Sequence, residues 1–165
     1  MRLLIPLAFL CCVTTSGCLP DNCAPGPDAA TLMLGQGVAE AFEPYASGQT
    51  VTIEPASQGG FGFPILIRTV GLLAGEDQDA AVVMDTVVSG ETTGTWNQNT
   101  QLTCPDEQGG RTPSVLHVGF DSTVYATTDD FIDLQGESID LVVTMTDTEG
   151  NTAAVTQSVV LALGG

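Results

Sequence analysis

The sequence points to an all-β protein: a single antiparallel β-sandwich of about eight strands, after an export segment and a short tether. Three observations carry this. Apolar residues recur with a period of two, which lines one face of a strand. The 19 glycines and nine prolines fall between those segments, where turns are needed. No helical pattern reaches the roughly ten residues of an ordinary helix. A length of 165 residues suits one domain.

In chain order, residues 1–17 read as a signal peptide and 18–28 as a tether, leaving 29–165 for the sandwich. Arg2 precedes an apolar run from Leu3 to Val13, too short for a membrane span and interrupted by Pro6. Leu19 to Ala29 holds three prolines and a glycine, an extended linker. Thr31 to Leu34 is a weak first strand, and Val38 to Glu43 is a short turn before Pro44. Val51 and Ile53 share one face of the next strand. Phe63 to Ile67 is continuously apolar, as in a strand covered on both faces, with Pro64 marking its start. Ala80 to Val88, Thr100 to Cys104 and Ser114 to Phe120 follow as strands, and Asp129 to Leu134 as one helical turn. Between them, Gly94 to Asn99 reads as a polar loop.

The final pair alternates most cleanly. Ile139, Leu141, Val143 and Met145 share one face, and Val155, Val159, Leu161 and Leu163 another. Thr146-Asp147 and Gly150-Asn151 bracket the turn between them. This stretch, Glu137 to Leu163, resembles the closing hairpin of bacterial Ig-like and HYR-type modules. The resemblance implies an Ig-like sandwich serving as an extracellular structural or binding module, and it implies no catalytic residues.

Thr15-Ser16-Gly17-Cys18 resembles the bacterial lipobox. The resemblance implies cleavage before Cys18 and acylation of Cys18 with palmitate-type chains. With Leu19 next rather than Asp, it implies an outer-membrane destination in a Gram-negative envelope. Several acyl chains hold a protein firmly where one does not. Ordinary signal cleavage nearby, giving a secreted soluble protein, is the alternative. Cys11 and Cys12 leave with the signal peptide, so Cys23 and Cys104 remain as a pair in an oxidising compartment. A disulfide between them is expected; free or metal-bound thiols compete with it. A lone histidine, His117, makes a four-ligand zinc site hard to assemble.

Charge narrows the chemistry further. The chain has 20 Asp and Glu, three Arg and no Lys. Without lysine there is no P-loop, no Schiff base and no Ser-x-x-Lys nucleophile. The mature chain, at net −18 with Arg68 and Arg111 alone against those acids, repels nucleic acid.

Candidate sites are few. Asp129, Asp130 and Asp133 sit within one turn, and Asp147, Glu149 and Asn151 surround Gly150; either set offers oxygens to Ca²⁺, though neither has EF-hand spacing. Both also suit ordinary capping and turn chemistry. His117 alternates with Leu116 and Val118 and reads as a strand residue facing away from the core, with no Gly-x-Ser-x-Gly elbow to serve. Trp96, the only tryptophan, stands among Asn and Gln and either stacks on a ligand such as a sugar or covers a sandwich edge. Arg68 is expected to pair with an acid such as Asp85. The leading expectation is a lipid-anchored, non-catalytic module whose partner is the membrane plus an extracytoplasmic protein or glycan. A calcium-dependent adhesin-like module and a small hydrolase using a carboxylate pair are the alternatives.

Overall fold

A computed structural model of the chain describes residues 23–26, 28–38, 41–56, 59–75, 78–106 and 109–164. The expected signal peptide, Cys18 and the expected tether up to residue 22 lie outside the described residues. Among the described residues are twelve strands and a 3-10 helix, and the strands divide into two sheets. The all-β sandwich expected from the alternation is what forms.

The second sheet is the simpler. Ala80, Val82 and Met84 of β6 (Asp79–Val88) alternate inward, as do Ile139, Leu141, Val143 and Met145 of β11 (Ser138–Thr146). β12 (Thr152–Ala162) pairs antiparallel with β11 through nine residues, and β11 pairs antiparallel with β6. One edge is β3 (Gln49–Thr52), which runs parallel to β12, so the sheet is not wholly antiparallel. The other edge is β7 (Glu91–Gln101), paired with β6. The Gly94-to-Asn99 segment expected as a loop is therefore strand. Its polar run is what an exposed edge carries, and pairing with β6 outweighs its low apolar content.

The first sheet is organised by β5 (Phe61–Val70). It pairs with β1 (Thr31–Val38), with short β4 (Glu54–Pro55) and β9 (Gly109–Arg111), and with β10 (Leu116–Gly119). β2 (Ala41–Pro44) extends the sheet beyond β1, where a turn had been expected, and β8 (Thr103–Asp106) extends it beyond β9. Phe63, Ile65 and Ile67 are fully buried on one face of β5, and Leu66 is buried on the other, as the continuous apolar run predicts. Pro64 lies inside β5 rather than at its start. Along β5, pairing with β4 stops at Gly62 and pairing with β1 starts at Leu66, and in that gap the Pro64 carbonyl accepts from the Tyr45 hydroxyl. A strand residue's N–H and C=O point to the same side, so the missing N–H costs no ladder bond.

The sheets meet face to face, with β1 over β12 and β10 over β6 and β7. Cys23 and Cys104 form a disulfide with Cα atoms 5.9 Å apart, and Cys23 is fully buried in the core. Ala74 N also donates to the Cys23 carbonyl, so Cys23 is anchored from two directions. The 3-10 helix, Thr128–Leu134, buries Phe131 against Phe61, Phe120 and Tyr125, with ring centroids 4.9 to 5.5 Å apart. Arg68 and Arg111 face each other across β5 and β9, and Arg68 lies over the Phe42 ring at 5.2 Å. Asp85 is on β6 of the opposite sheet and accepts from the Thr95 hydroxyl at 2.6 Å, so the expected Arg68–Asp85 pair does not form.

Candidate functional site

On β6 and β11 every inward residue is apolar or threonine. On β7 the inward series runs Gly94, Trp96, Gln98, Thr100, and only Gly94 is buried; the other three are half-buried. An unpaired polar group in a dry interior costs about 1–3 kcal/mol, whereas the half-buried Gln98 and Thr100 keep access to solvent. The inner face of β7 instead looks into an open cleft between the sheets.

Trp96 divides that cleft. On one side is a hollow of about 650 Å³, bordered by Thr93, Thr95, Asp121, Ser122 and Tyr125 among others. On the other is one of about 260 Å³, bordered by Gln98, Asn99, Thr100, Ser114 and His117. The indole is seated by Gly119: a Cβ on that glycine would lie 2.0 Å from Trp96 Nε1. The sheets approach closely here, since a Cβ on Gly94 would lie 2.3 Å from the Gly119 carbonyl. Thr86, buried beneath, donates to that carbonyl at 3.1 Å. Only glycine at both positions permits this approach.

The far wall is held by aromatic packing. Tyr125 stacks on Phe131 with centroids 5.0 Å apart and leans on Phe120 at 5.1 Å. Asp121 shapes the turn before it, accepting from Thr123 N at 2.9 Å and Thr123 Oγ1 at 2.8 Å. Those bonds hold its carboxyl below the usual range, the Thr123 amide contributing most. Asp121 N donates back to the Thr93 carbonyl at 2.8 Å, tying the wall to β7. His117 faces away from the core beside Glu54, Nε2 to Oε2 4.0 Å, where it also borders an adjoining hollow of about 380 Å³.

One carboxylate of each acid cluster is engaged in hydrogen bonds. Asp130 accepts from Thr127 N at 2.7 Å, Ala126 N at 2.9 Å and Thr127 Oγ1 at 3.0 Å, a cap at the start of the 3-10 helix that lowers its pKa, the Thr127 amide leading. Asp129 and Asp133 are exposed on that helix. Asp147 turns inward. It accepts from Leu73 N, Glu149 N and Asn151 N, each at 2.9 Å, and from Asn151 Nδ2 at 2.9 Å and 3.2 Å. Burial pushes its carboxyl up, and the four donors, led by Leu73 N, more than reverse that. Among the described residues no three of His, Cys, Asp and Glu gather as a metal would require. Asp130 thus does capping work and Asp147 turn work.

Of the residues singled out in the sequence, the structure places Trp96 and His117 on one cleft and leaves the acid clusters apart from it. Asp121, Ser122, Tyr125 and Gly119 escape a linear reading, because the close approach that makes them a wall is between sheets. Asp121-Ser122-Thr123 does carry a turn signal, but a turn alone does not mark a site. A scan against protein-family models finds no match to this chain, and a search of curated proteins finds no significant match.

Proposed function

We propose that this chain is a lipid-anchored extracytoplasmic binding module without a catalytic role, held in the envelope through Cys18 and using the cleft beside β7. The observation that carries the reading is the half-buried polar inner face of β7, a surface shaped for a ligand rather than for the core. The signal-like N-terminus, the lipobox resemblance and a disulfide suited to an oxidising compartment support the location.

The cleft chemistry favours binding over turnover. Glycoside hydrolysis needs two carboxyls, one held protonated by a raised pKa. Asp121 is the one carboxylate bordering the larger hollow, and its pKa is moved in the opposite direction. Among the described residues no serine or cysteine hydrogen-bonds to His117, whose polar neighbour is Glu54.

Labelling with radioactive palmitate, followed by fractionation, tests the anchor. The wild-type chain should take up label and sediment with membranes, whereas Cys18→Ala should stay unlabelled. Equal fractionation of the two, both soluble and without label, refutes anchoring at Cys18.

A further inference from the structure

We infer that the cleft binds a neutral glycan laid along β7, with a sugar ring resting on Trp96. This inference rests on the binding-module reading and names its ligand class. Three observations converge on it.

First, beside its apolar residues, Asp121 and His117, the lining carries Thr, Ser, Asn and Gln side chains, each able both to donate and to accept a hydrogen bond. A ligand matching that lining presents many groups of the same dual kind, which is the chemistry of sugar hydroxyls. Neither arginine borders the cleft, because Arg68 and Arg111 lie on β5 and β9 of the first sheet. An anionic ligand would meet a chain of net −17 with no arginine on the cleft to receive it.

Second, Trp96 is pre-placed. Its Nε1 edge is seated on Gly119, so its flat surface costs little further ordering when an apolar ring face comes down on it. Third, hollows of about 650 and 260 Å³ open on either side of that one indole. A linear ligand centred on Trp96 would occupy both. Together they have the scale of small-molecule sites, roughly 300–1,000 Å³.

Strand addition by an extended peptide fits less well. It would use the backbone edge of β7, yet the Thr93 carbonyl already accepts from Asp121 N, and a register shift opposite Thr86 and Val87 distorts that end of the strand.

The test uses the chain from Leu19 onward, which contains the whole described sandwich. Neutral hexasaccharides of glucose, xylose, mannose and N-acetylglucosamine are titrated in, with a hexamer of galacturonic acid as the anionic counterpart. Trp96 is the only tryptophan, so its emission reports the site directly, and calorimetry gives the affinity. At least one neutral hexasaccharide should shift the emission saturably, while the uronate hexamer leaves it unmoved. Trp96→Ala should weaken calorimetric binding about tenfold or more, equivalent to about 1.4 kcal/mol.

Because Trp96 also packs on Gly119, Asn99→Ala and Ser122→Ala serve alongside it. Each alters an exposed residue at one end of the cleft, and each should weaken binding about two- to fivefold with an unchanged melt. Silence toward all four neutral sugars overturns the inference. So does equal binding of the uronate, or sugar binding untouched by all three substitutions. A chain that takes up palmitate yet ignores every sugar would sink the glycan assignment alone and leave the anchor standing.

Discussion

Removing the Asp147 carboxylate should loosen the sandwich by an amount that its hydrogen bonds define. In Asp147→Ala, four donors lose an ionised acceptor: the amides of Leu73, Glu149 and Asn151, and the Asn151 side chain. Bonds to charged groups contribute about 1.5–3 kcal/mol each. They do not simply add, because Glu149 is exposed and its amide can turn to water. Leu73 N is the donor with least recourse: it lies 74 residues away, and its bond ties the last hairpin to the chain leaving β5. A net loss of about 3–4 kcal/mol follows, or a fall in Tm of about 10 °C for a sandwich of this size. Asp147→Asn keeps one acceptor oxygen and replaces the other with a donor, so it should lose about 2 kcal/mol.

Urea unfolding followed by Trp96 emission measures this, with the slope m expected to stay constant while the midpoint falls. The pH dependence has a definite sign. The folded carboxyl titrates below its ordinary value near 4, so its stabilisation is fully present above that value and is lost as pH falls through the folded pKa. The gap between wild type and Asp147→Ala should be constant from about pH 6 to 8 and shrink below about pH 4. Wild-type melts in Ca²⁺, matched Mg²⁺ and EDTA should superimpose, since this carboxylate is already saturated with donors. An Asp147→Ala variant within about 0.5 kcal/mol of wild type, or a shift specific to Ca²⁺, would refute the reasoning.

Two further perturbations address the frame around the cleft. Gly119→Ala places a methyl where the Trp96 indole sits, so the ring must move: overpacking of about 1–3 kcal/mol should accompany a changed Trp96 emission maximum, and an unaltered emission would show that the indole is not seated there. Replacing both Cys23 and Cys104 with alanine frees a loop spanning 81 residues, which chain entropy values at about 4.5 kcal/mol; a urea midpoint indifferent to the double substitution or to reductant would contradict that linkage.

The strands with a clean period of two were legible in the linear chain because alternation directly states which face is buried. Ile139 to Met145 and Val82 to Met84 behave as written, and the Asp147 to Asn151 turn closes where its glycine allows φ of +88°. The Cys23–Cys104 pairing was also within reach, by elimination once export to an oxidising compartment is expected. Three features were not. β7 looked like a loop because an edge strand with one neighbour need not alternate hydrophobically, and its pairing energy comes from β6, a partner invisible in its own residues. Pro64 fits inside β5 only because β4 and β1 leave a gap beside it. The cleft exists because Gly94 and Gly119, 25 positions apart in the chain, let two sheets close to within backbone contact and seat Trp96 between them. Periodicity is a local property and survives in one dimension; the approach of two sheets, and the hollow it leaves at their edge, depends on side-chain volumes from distant segments meeting in space.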